Sequence, residues 1–184
     1  MSLPLAAWQT EHTDFRQLLD ILETQVQMFL KGKKTVYALM SDILHYMRNF
    51  CASVHHPREH FAFGKLSKRD PGAQIIVNRL LQQHRVLAAT GDEFLHRIND
   101  AAVDSVVSRD ALTTAANTYL VYCRHHISIE ERYAIPRTAE VLTEDAWAAF
   151  NAAARPSSDP VFADNVLRRF AELRAQLIRE VAVP

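Results

Sequence analysis

Six residues of this chain combine imidazole and carboxylate at helical spacing on stretches whose pattern predicts burial. His126 and Glu130 stand one turn apart, and so do His55 and Glu59, so each pair shares a helix face. His12 and His84 each take one position in an otherwise apolar seam. A carboxylate on such a seam is costly unless a positive charge compensates it. Neutral imidazoles and carboxylates suit iron, manganese or zinc. Four histidines and two glutamates exceed the four ligands of one tetrahedral zinc. Two metals bridged by Glu59 and Glu130 would use the whole set, with two cations offsetting each buried carboxylate. His56, beside His55, is a possible fifth imidazole.

Each piece taken alone has a plainer reading. A single His-x-x-x-Glu on a helix is usually a surface pair, and a lone core histidine is usually a hydrogen-bonded packing residue. The coincidence of four seam placements is what points to a metal. His60 and Glu131 follow the two glutamates and are read as partners that orient ligands or as surface residues. His45, His96 and His125 are read as structural or solvent-facing, and Tyr119 and Tyr122 as packing residues within reach of the site.

The elements that must position these groups are helices. Trp8, His12, Phe15, Leu19, Leu22, Val26 and Phe29 alternate in steps of four and three, which predicts a first helix over 5–30 with Gly32 past its end. A second helix is expected from Thr35 to about Gly64, with Tyr37, Met40, Leu44, Met47 and Cys51 leading to His55 and Glu59 and a kink at Pro57. Lys65 to Arg69 then reads as a basic connector. Asp70-Pro71 predicts an N-cap and first residue for a third helix running to about Asn99, with Val77, Leu81, His84, Ala88, Gly91, Leu95 and Ile98 as its seam. A fourth helix, capped by Ser108 or Asp110, is expected to end near Ala134 with Pro136 just beyond. Its seam runs from Leu112, Ala116, Tyr119 and Cys123 through His126 and Glu130 to Tyr133. Thr143 opens a short segment to about Ala154, and Val161 to Val181 reads as a last amphipathic helix.

The expected fold is therefore all-α: an antiparallel up-down-up-down four-helix bundle over 1–142, with additional C-terminal helices in 143–184 that pack on the bundle or form a dimer interface. Alternating chain direction brings all four ligand positions to one end, roughly one to two turns deep.

Composition narrows the class. Hydrophobic residues make up 48% of 184, which excludes a disordered chain, and only four glycines are present. Acidic and basic residues balance at 21 each, so neither nucleic acid nor an anionic membrane surface is an expected partner. No apolar run reaches the roughly 18 residues of a membrane span. The first residues lack a signal-peptide pattern, and Cys51 and Cys123 suit free thiols, so a cytoplasmic location is expected.

The stretches from His55 to Phe63 and from His126 to Pro136, with Glu11-His12 and Gln83-His84, resemble the hemerythrin-like (HHE cation-binding) family over about residues 8–142. The resemblance implies a non-haem di-iron centre, with His12, His55, Glu59, His84, His126 and Glu130 as ligands and the two carboxylates bridging. Oxygen-carrying hemerythrins place two histidines one turn apart on the third helix. Here the positions one turn either side of His84 are Leu80 and Ala88, which leaves coordination positions open. That favours reactive chemistry or sensing over reversible oxygen storage, and the leading expectation is a di-iron protein that binds or senses oxygen, nitric oxide or peroxide. The alternatives are an oxidase, peroxidase or nitric oxide reductase, or an iron-responsive interaction protein.

Overall fold

The computed structural model describes residues 3–103 and 108–153. Among the described residues, ten helical pieces form four long rods, a 3-10 turn and one short helix. The first rod is α1, Leu3–Leu30. The second joins α2 (Tyr37–Phe50), a π-helical turn (Cys51–His55) and α3 (His56–Arg69). After a 3-10 turn at Pro71–Ala73, the third rod is α4, Gln74–Ala102. The fourth joins α5 (Arg109–Ile129), a second π turn (Glu130–Ala134) and α6 (Ile135–Val141). The short helix α7 spans Glu144–Ala153. No strand occurs among the described residues.

Caps set the direction changes. Gly32, at φ 64°, closes α1: Lys33 N donates to Met28 O at 2.9 Å and Gly32 N to Phe29 O at 3.0 Å. This is the left-handed C-terminal arrangement that glycine accepts without strain. Gln25 Oε1 then accepts from Val36 N at 2.9 Å, so α1 caps the start of the second rod. Asp70 caps as expected, accepting from Gly72 N at 3.1 Å, but it opens the 3-10 turn, one turn ahead of α4. Ser108 is the cap of α5, accepting from Ala111 N at 3.4 Å.

One apolar cluster shows the topology. It gathers Leu5 and Trp8 from the start of α1, Phe63 and Leu66 from the end of the second rod, and Ala73 and Val77 from the start of the third. Ile135 and Leu142 from the end of the fourth complete it. Starts of rods one and three meet ends of rods two and four, which is the up-down-up-down bundle. Arg137 Nε donates to Asp70 Oδ2 at 2.7 Å and Arg69 Nη1 donates to Val141 O, tying these ends together. Trp147 and Phe150 of α7 belong to the same cluster, with the Phe150 ring 5.4 Å from that of Trp8. A second cluster, around Leu18, Leu22, Met40, Ile43, Phe94 and Leu112, fills the other half of the bundle. The expected last helix at 161–181 lies outside the described residues.

The rods run further than the sequence pattern indicates. Lys65–Arg69 is the last turn of α3 and not a connector. The fourth rod passes through Pro136 and ends at Val141. The passage of the rods through their prolines has a physical cause. A proline in an α-helix lacks its N–H and clashes with the carbonyl four residues back. Here each proline is preceded by a wider turn: His56 N donates to Cys51 O, and Ile135 N to Glu130 O, five residues back in each case. Such π turns let the helix continue, and they recur at functional sites.

The extra residue in each π turn also shifts the register. Tyr133, expected on the seam, is 53% exposed, and Ala134 takes the inner place at 0%. On α4 the inner face is wider than expected, with Leu80, Gln83 and Phe94 buried, Leu81 half-buried and Ala88 exposed. Because rods two and four are longer, the ligand positions lie deeper than one to two turns. His12 is nine residues beyond Leu3 and Glu59 ten before Arg69, or about three turns from that end.

Candidate metal centre

The two apolar clusters leave a polar layer between them. His12, His55, Glu59, His84, His126 and Glu130 all lie in it and all are buried, both glutamates at 0% exposure. Each rod contributes to the layer, as the seam positions require. Two ionised carboxylates shut away from water among apolar side chains would be prohibitive without nearby positive charge.

The Nε2 atoms supply the inward edges. His55 Nε2 is 2.7 Å from Glu59 Oε1, and His12 Nε2 is 3.9 Å from the same oxygen. His84 Nε2 is 3.2 Å from the other oxygen, Glu59 Oε2. Glu130 is divided the same way: Oε2 lies 3.3 Å from His12 Nε2, while Oε1 lies 3.2 Å from His126 Nε2 and 3.8 Å from His84 Nε2. Each carboxylate therefore turns one oxygen toward the His12 side and one toward the His84 side. Two four-residue groups result, His12, His55, Glu59 and Glu130, and His56, Glu59, His84 and His126, each with potential ligand atoms within 4.8 Å of one another.

The outward edges are held from neighbouring rods. His55 Nδ1 is 2.8 Å from Glu11 Oε2, which also accepts from Arg58 through Oε1. His84 Nδ1 is 3.0 Å from His60 Nε2, and His126 Nδ1 is 3.0 Å from Gln83 Oε1. His12 Nδ1 faces Glu131 Oε1 at 3.3 Å, and Arg16 clamps that carboxylate at 2.6 and 2.5 Å. The four contacts form a closed circuit. Rod one holds the histidine of rod two, rod two that of rod three, rod three that of rod four, and rod four that of rod one. An outer contact of this kind fixes the ring's tautomer and orientation.

Protons take the place of cations in the metal-free layer. Burial pushes the His55 ring down, but the charge of Glu59 and the bond to Glu11 outweigh it and hold His55 up at about 10. His84 is held up at about 9, with Glu130 and Glu59 prevailing over burial. His12 is raised by the same glutamates. Burial would raise Glu59, yet the His55 charge and the histidine hydrogen bonds keep it well below the usual carboxylate range; Glu130 is lowered likewise. His56 behaves oppositely. Burial and the neighbouring His84 charge push it down to about 3, and its ring stacks on His84 at 3.8 Å.

Protons alone leave the layer incomplete. Both ring nitrogens of His12, Glu59 Oε2 and both oxygens of Glu130 are buried without a well-directed hydrogen bond, the histidine nitrogens beside the carboxylates acting through charge and proximity. Orphaned acceptors in a native core call for an ion or a water. The donor set of imidazole and carboxylate fits iron, manganese or zinc, and its size fits two ions.

All six residues predicted from the sequence are brought together, and His56 lies with the His84 group. His60 Nε2 lies 3.0 Å from His84 Nδ1 and Glu131 Oε1 3.3 Å from His12 Nδ1, so both side chains approach histidines of the layer. Tyr122 is 42% exposed, while Tyr119 is buried and donates to Met47 Sδ at 3.6 Å. Sequence reasoning gave no role to Glu11 or Gln83, and none beyond packing to Trp8, whose Nε1 donates to Glu59 Oε1 at 3.1 Å. The signal for the first two was adjacency. Glu11, His60, Gln83 and Glu131 each neighbour a member of the inner set, and a step of one residue turns the side chain about 100° toward the next rod.

A cavity of about 310 Å³ adjoins the layer on the side of the larger apolar cluster, and His55, His56, His84 and His126 line it. No curated protein and no solved structure matched the chain. The Hemerythrin HHE cation binding domain matches residues 3–138, covering all four rods to within the last turn and every residue of the layer. With that match and this buried cluster of metal-binding side chains, the chain belongs to the hemerythrin HHE cation-binding family.

Proposed function

We propose that this protein holds two iron ions in the buried layer and uses them to bind or sense oxygen, nitric oxide or peroxide. His12 and His55 would hold one ion, His84 and His126 the other with His56 beside it, and Glu59 and Glu130 would span the two. The observation that carries this reading is the division of both carboxylates, each with one oxygen toward each histidine pair. Iron pairs so held supply reversible electron transfer and open positions for a diatomic ligand. The chain's own part is to orient the ligands through Glu11, His60, Gln83 and Glu131 and to exclude water with the two apolar clusters. Manganese or zinc would fit the same donors. Free thiols at Cys51 and Cys123 support a cytoplasmic location. No helix among the described residues is long and apolar enough to cross a membrane.

The test is anaerobic loading with Fe(II), metal counting, then exposure to oxygen. Two irons per chain and a charge-transfer absorption that develops with oxygen are expected. Iron that washes out, or zinc retained in preference, sinks the reading. A redox enzyme using the same metals is the second reading, favoured by the size of the adjoining cavity. Multiple turnovers with a reductant and peroxide would select it over a binder.

A further inference from the structure

The cavity beside the layer is too large for a diatomic ligand. It measures about 310 Å³. An apolar cavity of about 150 Å³ is enough to hold benzene. It opens between α2 and α4, where Arg48, Ala52, Ala88 and Asp92 are exposed. It reaches the layer at His55, His56, His84 and His126; His12, Glu59 and Glu130 do not line it. It is therefore additional space beside histidines of both pairs and not the gap between the carboxylates.

We infer that this cavity binds an uncharged, apolar organic molecule of about ten to twelve carbon atoms, the volume being roughly twice that of a cavity that holds benzene. Its inner wall is made by Phe15, Leu44, Met47, Leu95, Tyr119 and Ile127. The polar groups of Arg48, Asp92 and Tyr119 are already engaged. Arg48 Nη1 and Asp92 Oδ1 pair at 2.6 Å at the mouth, and the Tyr119 hydroxyl donates to Met47 Sδ. Burial holds the Cys123 thiol up at about 12 and Cys51 higher than usual as well, so both present neutral sulfur to the space. A cationic ligand would lose its hydration and find one carboxylate in the lining, Asp92, already paired with Arg48. Gly91 shapes the wall: a Cβ there would come within 3.1 Å of the Tyr119 ring, so its absence lets that ring lie against α4. That the bound molecule lies beside metal ions rests on the reading above; the cavity and its lining do not.

Naphthalene is the probe, titrated into the metal-loaded full-length chain by calorimetry, with metals counted on the same samples. One saturable site per chain is expected, and 2-naphthylmethylammonium should bind at least ten-fold more weakly. Ala88→Phe places a ring at the mouth from an exposed position and should weaken naphthalene at least ten-fold with the metal count unchanged. Ala52→Phe, equally exposed, does the same from the opposite rod and serves if the first variant misfolds. Absence of saturable binding, equal binding by both variants, or the naphthylmethylammonium binding as tightly as naphthalene would overturn the inference. Loss of metal with naphthalene binding intact would instead sink the metal reading alone.

Discussion

Glu11 stands one residue before His12 on α1, yet its carboxylate holds His55 of the next rod, 2.8 Å from Nδ1. The same offset recurs around the bundle, through His60 to His84, Gln83 to His126 and Glu131 to His12. Each rod thus carries one inner group and, beside it, the partner that orients its neighbour's. The layer is cross-linked rod to rod by polar contacts where the apolar clusters on either side are interrupted.

Breaking one link of this circuit should loosen metal without unfolding the chain. Gln83→Leu removes the acceptor from His126 Nδ1 and Glu11→Ala that from His55. Outer partners of ligand histidines are typically worth 10–100-fold in metal affinity. Chelator competition should show losses of about that size, with two metals still bound at saturation. Native affinity in both variants would remove the orienting role.

Substituting a spanning carboxylate should be more drastic. Glu130→Gln keeps the shape of the side chain but removes the charge that faces both histidine pairs. Metal per chain should fall from two to one or none, whereas His12→Ala, on one side only, should spare the ion on the His84 side. Two metals retained in Glu130→Gln would argue against bridging.

Stability of the stripped protein should peak in a narrow window of pH. His55 and His84 are raised from 6.5 to about 10 and about 9 by the buried glutamates, against the effect of burial. Their contribution is complete below 6.5 and is lost as pH rises through 9 to 10. Glu59 and Glu130 are lowered from 4.5, so theirs is complete above 4.5 and is lost as pH falls below it. His56, lowered from 6.5 to about 3 by burial and the His84 charge, and His60, lowered likewise, add a loss as pH falls below 6.5, so metal-free protein should be most stable near pH 6.5. Bound metal, which replaces the protons, should abolish the alkaline decline and itself bind more weakly as pH falls. Urea unfolding at pH 5.5, 7.5 and 9.5, with and without metal, checks this; a flat profile in stripped protein contradicts it.

The register shift in the fourth rod is testable by substitution. Tyr133 is exposed, so Tyr133→Ser should change stability by no more than about 0.5 kcal/mol. Ala134 is fully buried, and Ala134→Leu should cost about 1–3 kcal/mol by overpacking. The reverse order in denaturant unfolding would mean that the rod continues as α-helix with Tyr133 inward.

The sequence by itself determined the four rods, the seams they turn inward and the six titratable residues on those seams. Helical periodicity is local, so spacing along the chain reveals which residues share a face. Alternating direction then places His12, His55, His84 and His126 in one layer. It did not determine where the rods end or how the side chains meet. A local pattern reads Pro57 and Pro136 as a kink and a stop, because whether a π turn forms ahead of a proline depends on packing against the other rods. The same turn moved Tyr133 outward and Ala134 inward. Only the tertiary structure decided that Glu11 serves His55 and not its neighbour His12, since that contact crosses between rods 44 positions apart in sequence. The division of each carboxylate between two histidine pairs, and the apolar space beside them, likewise arise from rods packed side by side, which no single rod's sequence encodes.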